Sequence, residues 1–295
     1  MYRTWVITRH TFFEAISQPI YSLLLGLGAA ILVIFMFLPF FTLGEDTTMF
    51  KSVGLDVILL LVLLTTLFAT SRCIHEEIED RTMLTLMSKP VSRLEVLLGK
   101  YLGLIFSAGL GVAILGVLLC LCTWWRIPGD YQINYRSIDT AEINQLMALR
   151  KSHLAGLYPC LLLLWLQIST LAAVSVAIST RFSLVVNLPS VILLYIAGNL
   201  TRFLPDALSD KSAAVRTIGN GLSTVLPFLE VFDLRKYAVY GTIGMGDSSG
   251  PGATSLGFIW SNTGLAVLYA FFYTAFALSI GLLIFRNREL GGNEG

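Results

Sequence analysis

An all-α membrane protein with six transmembrane helices is the fold class the sequence predicts, and three observations predict it. Of the 295 residues, 55% are hydrophobic and only 13% charged, with a mean hydropathy of +0.75, too apolar and charge-poor for an ordinary soluble domain. Six apolar segments, 20–43, 53–71, 97–124, 154–180, 183–204 and 258–285, are each long enough for a hydrocarbon core that takes about 20 helical residues. Helix stop and start signals, Pro19, Pro90 and the Ser92-Arg93-Leu94-Glu95 box, separate the first elements from one another. No tandem repeat is visible, so residues 1–295 read as one membrane domain. The net charge of +1 gives no field that points to nucleic acid or to anionic lipid. The cysteines, Cys73, Cys120, Cys122 and Cys160, lie in or beside apolar runs and read as packing thiols.

In chain order, residues 2–18 read as an amphipathic helix. Trp5, Val6, Phe12, Phe13 and Ile16 share one side, and Arg3, His10, Thr11, Glu14 and Gln18 the other, the pattern of a helix lying in a membrane interface. Pro19 breaks it from the first span, which is longer than a signal-peptide core and reads as uncleaved. Small residues on that span, Gly26, Gly28, Ala29 and Ala30, suit either close helix packing, as at a dimer seam, or ordinary membrane-helix composition.

The polar interruption after the second span is where a signal can enter. Taking 74–87 as one helix puts Glu76, Glu77, Glu79 and Asp80 on the same half as Met83, Leu84, Leu86 and Met87. That half is acidic at its start and apolar at its end, which suits a socket on another protein. The acids would sit at a helix N-terminus, where negative charge is favoured. Lys89 before Pro90 is pushed out of the α region, which ends the helix. The Ser92 box then starts a third helix of about 33 residues, about 50 Å long at 1.5 Å per residue. A helix of that length must protrude, which lets Lys100 reach the aqueous edge.

The stretch from Cys73 to Gly103 resembles the cytoplasmic coupling segment of the permease subunits of type-2 ABC exporters. Matching residues are Glu77, Glu79, Thr82, Leu86, Ser88, Pro90, Val91, Ser92, Arg93, Gly99 and Lys100; Arg81 stands where many members carry Gly. The resemblance implies an elbow helix over residues 1–19, a coupling segment at 73–92 and outer loops at 125–153 and 205–257. It implies a separate ATPase subunit that binds ATP and Mg, a second permease copy, identical or not, and a prokaryotic cytoplasmic membrane with both termini cytoplasmic. Residues expected at the ATPase are Glu76, Glu77, Glu79, Asp80, Thr82, Met83, Leu86, Met87, Pro90 and Arg93. Arg181, in the short turn 180–182, would make a second, smaller contact. Cationic residues are as numerous in the outer segments as in the inner ones, so orientation rests on the resemblance.

Both outer loops hold helical patterns. Asp139-Thr140-Ala141-Glu142 precedes Ile143, Leu146, Met147 and Arg150, and Val215, Ile218, Leu222, Val225 and Leu226 recur at helical spacing. The phrase 226–241, LPFLEVFDLRKYAVYG, has no assigned role, and 244–257 is a Gly- and Ser-rich loop. Asp56 and Arg202 fall near outer span ends and suit snorkelling ahead of substrate gating, while Gln167 and Asn187 suit bonds to neighbouring helices ahead of contact with cargo.

No catalytic motif is present. Gly99-Lys100 is followed by Tyr101, and Leu94 stands where a phosphate loop needs its first glycine. The chain is therefore expected to be no enzyme, to carry no cofactor or metal, and to depend on ATP hydrolysis elsewhere. Glu76-Glu77-Ile78-Glu79-Asp80-Arg81 fits the E-E-x-x-x-R signature of a family of intramembrane proteases. His10, His75 and His153 lack the flanking Phe, Asn or Asp that such an enzyme pairs with its histidines, and none is mid-span. A membrane scaffold or sensor that docks an ATPase without transporting anything is the second class. The spans carry no line of ionisable residues for metal coordination or proton relay, which favours amphiphilic cargo or force transmission.

Overall fold

The computed structural model describes residues 2–38, 46–79, 92–130, 140–201, 226–240 and 256–286. In order these form α1 (Tyr2–Ile16), α2 (Pro19–Phe37), α3 (Asp46–Glu79), α4 (Arg93–Asp130), α5 (Thr140–Ser179), α6 (Leu184–Leu200) and α7 (Leu256–Arg286). A 3₁₀ turn at Leu229–Phe232 and a π turn at Lys236–Tyr240 precede α7. There is no strand among the described residues.

Among the described residues five helices, α2, α3, α4, α5 and α7, are long and apolar enough to cross a membrane. α6 has 17 residues, about 25 Å at 1.5 Å per residue, at the short end for a span.

The helices outrun the apolar segments that announce them. α4 continues through Arg126, expected to open a loop, as far as Asp130. Pro128 lies in its last turn, where the N–H it lacks leaves the Trp124 carbonyl without its α-helical donor. The expected outer helix at 140–150 and the fourth span are one continuous helix of 40 residues. Between Thr140 and Leu154 there is no Gly or Pro to stop it, and Pro159 lies inside it. The helix expected over 215–226 lies outside the described residues apart from Leu226, as does Arg202.

α3 runs through the middle of the bundle. Leu55, Ile58 and Val62 pack on Val112, Leu115 and Leu119 of α4 and on Leu157 and Leu164 of α5. A Cβ on Gly28 of α2 would come within 2.9 Å of Leu61, whereas one on Gly26 would meet nothing within 4 Å. The small-residue run therefore serves packing within the chain at Gly28.

α1 lies along α4 with its small residues inward. Thr8, Thr11 and Ala15 are buried, while Tyr2, Trp5, Val6 and Phe13 are exposed. The helix presents its aromatic side outward, as a helix facing lipid does. Gly99 and Gly103, one turn apart on α4, make the close approach possible. A Cβ on Gly103 would stand 2.7 Å from the Thr8 carbonyl oxygen, and one on Gly99 would stand 2.8 Å from the Ile7 side chain.

Residues 226–240 fold back onto the bundle. Leu229 and Phe232 join Leu63, Leu67 and Val191, and Ala238 and Val239 join the cluster around Phe50. Arg235 bridges to Asp56 of α3 at 2.5 Å and to Asp233 at 3.0 Å. Asp56, expected to snorkel, therefore holds this segment in place. Lys51 Nζ donates to the Val239 carbonyl at 3.3 Å, and the Phe228 N–H donates to the Tyr269 hydroxyl at 2.7 Å. The phrase with no role in the sequence thus ties α3 to α7.

Candidate functional site

The acidic run begins on the last turns of α3. Helix α3 does not end at Ser71; it widens into a π turn over Ser71–Glu76 and continues through Glu79. Glu76, Glu77 and Glu79 are therefore inside a helical run that starts at Asp46, and the helix start expected at residue 74 is absent. Periodicity could not reveal this, because the residues before and after Ser71 each satisfy a helical pattern separately. Asp80, Thr82, Met83, Leu86, Met87 and Pro90 lie outside the described residues.

The three acids have different surroundings. Glu76 and Glu79 are exposed and pair one turn back along the helix, Glu76 with Arg72 at 3.7 Å and Glu79 with His75 at 3.5 Å. The exposed pair with Arg72 holds weakly, by about 0.5 kcal/mol, and Glu79 is itself 73% exposed beside the more sheltered His75, so both carboxylates face outward where another protein can meet them. Glu77 turns inward instead, its Oε1 2.6 Å from Lys100 Nζ.

Lys100 is buried, with 3% of its side chain exposed, and does not reach the aqueous edge expected for it. Besides Glu77, its ammonium donates to the Cys73 carbonyl. In a regular α-helix that carbonyl would receive the N–H of Glu77; here the Glu77 N–H goes to the carbonyls of Ile74 and His75. A long side chain from α4 thus supplies what the π turn has withdrawn. Cys73 is also reached by Gln18, in the turn between α1 and α2, whose Nε2 lies 3.9 Å from Sγ.

The other end of the π turn is held from α6. Asn187, fully buried, donates through Nδ2 toward Ser71 Oγ at 3.0 Å, Ser175 Oγ at 2.8 Å and Ser179 Oγ at 2.9 Å. This one carboxamide joins α3, α5 and α6, as expected of a polar residue between membrane helices. The same contacts bring the tight turn at 180–183 to this end of the bundle. There Arg181 is exposed and its N–H donates to the Ile178 carbonyl at 3.0 Å.

The capping box at the start of α4 forms as the sequence predicts. The Ser92 N–H donates to Glu95 Oε2 at 2.9 Å, and the Glu95 N–H donates to Ser92 Oγ at 3.2 Å. Arg93 faces inward and donates to the carbonyls of Phe285 and Arg286 at the end of α7. Its guanidinium also lies over the Phe285 ring, 5.5 Å from the centroid.

Of the residues singled out in the sequence, the structure therefore brings Glu77, Lys100, Gly99 and Arg93 into internal contacts, and leaves Glu76, Glu79 and Arg181 at the surface. Gly103 and Asn187 complete the arrangement. The spacing of Gly99 and Gly103, four residues apart and so on one helix face, is a signal that could have found the α1 contact.

A bundle of long apolar helices carrying an acidic, side-anchored extension at one end is a multi-pass integral membrane protein. The sequence profile of the ABC-2 family transporter protein matches residues 10–290, and the chain belongs to that family, whose members are membrane permease subunits of ABC transporters. Among curated proteins, none matches it.

Proposed function

We propose that this permease works as the membrane-spanning half of an ATP-driven exporter and docks its ATPase through the acidic end of α3. The observation that carries the proposal is the division of labour among the three acids. Glu77 is engaged with Lys100, while Glu76 and Glu79 project from a helix end held by Gln18, α4 and α6. An exposed pair of carboxylates on a firmly held element transmits a push in either direction, whereas a solvated loop would absorb it. Asp80, Thr82, Met83, Leu86, Met87 and Pro90 continue this contact, and Arg181 adds a second one at the same end. ATP and Mg belong to the partner.

In this reading α6 is the sixth span and α1 an elbow helix at the cytoplasmic interface. Both termini are cytoplasmic, and two permease copies share two ATPase subunits. ATP closes the ATPase pair, and the end of α3 moves with the surface that grips it.

The test is charge reversal of Glu76 and Glu79 together to Lys, followed by co-purification with the ATPase subunit. Loss of two carboxylates from a desolvated contact costs about 2 kcal/mol or more, about thirtyfold in affinity, so the ATPase should separate from the permease. Undiminished co-purification would remove the docking assignment. ATPase turnover in liposomes that stays indifferent to every added amphiphile would favour a scaffold over a transporter.

A further inference from the structure

We infer that Lys100 is a positioning residue that holds the π turn of α3 and thereby fixes the direction in which Glu76 and Glu79 face. The inference deepens the docking proposal and rests on it only for its consequence at the ATPase. A π turn carries one residue more than the α-helix around it. Everything beyond it is set back by one residue, about 100° of rotation in a helix of 3.6 residues per turn. Were residues 71–76 regular α-helix, Glu79 would rotate away from its present direction and Ile78, buried here, would take its place.

Such a turn persists only if the backbone groups it displaces find other partners. At the Cys73 carbonyl that partner is the Lys100 ammonium. A buried ammonium is itself costly unless it is paired, and Glu77 supplies the countercharge at 2.6 Å. The carbonyl, the cation and the carboxylate therefore form one unit across 27 residues of sequence. Ser71, at the beginning of the turn, is fixed separately by Asn187. The neighbouring Gly99 is occupied by α1, so the segment of α4 that carries Lys100 is itself held in place.

A thiol-accessibility scan of the full-length permease in lipid nanodiscs tests this. Single cysteines are placed in turn at residues 75, 76, 78 and 79 in a background with Cys73, Cys120, Cys122 and Cys160 changed to Ala. Cys73→Ala keeps the carbonyl. With Lys100 present, a membrane-impermeant maleimide should label 76 and 79 most. In Lys100→Met combined with Glu77→Met, which leaves no unpaired buried charge, the maxima should move one residue back, to 75 and 78. Lys100→Arg should restore the original pattern. An unmoved pattern in monodisperse Lys100→Met/Glu77→Met protein would overturn the inference, whatever the ATPase does. Co-purification of the ATPase is read separately, with the same Lys100 and Glu77 variants in chains that keep Glu76 and Glu79. A moved pattern with undiminished ATPase binding would support the role of Lys100 and count against docking through Glu76 and Glu79.

Discussion

Arg93 Nη1 donates to the Phe285 carbonyl at 2.8 Å, so a side chain from the first turn of α4 closes the last turn of α7. The final carbonyls of a helix have no partner within it, and a cation there also meets the negative end of the helix dipole. At the far end of α4 the device recurs. Arg126 Nη1 donates to the carbonyls of Phe35 and Met36 at 3.0 Å each, and Nη2 to that of Leu38 at 3.1 Å, where α2 ends. Arg126 also meets Asp130 at 3.2 Å and Asp46 at 3.8 Å.

These two arginines should differ in what their loss costs. Arg93 is half-buried and one of its two acceptors, the Arg286 carbonyl, is exposed, so Arg93→Gln should lower stability by about 1–2 kcal/mol. Arg126 is buried, and its removal takes the guanidinium from Asp130, which keeps the Thr47 hydroxyl, and from the carbonyls of Met36 and Leu38, while that of Phe35 keeps the Leu38 N–H. Arg126→Met should cost about 3 kcal/mol or more. Unfolding of the purified permease in mixed micelles, followed by far-UV circular dichroism, checks both the order and the sizes.

Gly103→Ala should loosen α1 from the bundle. The added methyl would meet backbone on α1, which cannot swing aside as a side chain can, and the strain should cost about 1–3 kcal/mol. Gly26→Ala, whose Cβ enters open space, should change stability by less than about 0.5 kcal/mol. Amide exchange over residues 2–16 should speed up in the first variant and stay unchanged in the second.

The segment 226–240 should depend on Asp56 in proportion to its exposure. Asp56 is 55% exposed and Arg235 24%, so Asp56→Asn should cost no more than about 1 kcal/mol. Arg235→Asp, which sets a third carboxylate beside Asp56 and Asp233, should release the segment and expose it to limited proteolysis. Restoring the pair with Asp56→Arg in the same chain should recover part of the protection. No recovery would mean that the apolar contacts of Leu229 and Phe232 hold the segment without help from the ion pair.

Much of this arrangement was legible in the sequence. The membrane class, the capping box of Ser92 and Glu95, the amphipathic α1 and the interhelical role of Asn187 all follow from composition, spacing or residue chemistry. What escaped has physical reasons. A π turn leaves no mark in a hydrophobic pattern, so α3 read as two elements with a gap at Ser71. A lysine beside a span end reads as snorkelling unless its carboxylate is known to come from another helix, and Glu77 is 23 residues away. The R-I-P-G-D run at Arg126 has the letters of a loop, and only the carbonyls at the end of α2 explain why it stays helical and why Arg126 is buried. The side of α1 that packs inward is its threonine side, because Gly99 and Gly103 offer backbone to pack on.

The two arginine clasps of α4 also limit how the molecule can deform. Displacing one tip of α4 drags the end of α7, and displacing the other drags the end of α2, so these three rods shift as a single braced frame. Helix α3 is pinned to that frame at both ends, by Asp46 to Arg126 and by Glu77 to Lys100, so a push on Glu76 and Glu79 is handed to α4 and through its arginines to the ends of α7 and α2.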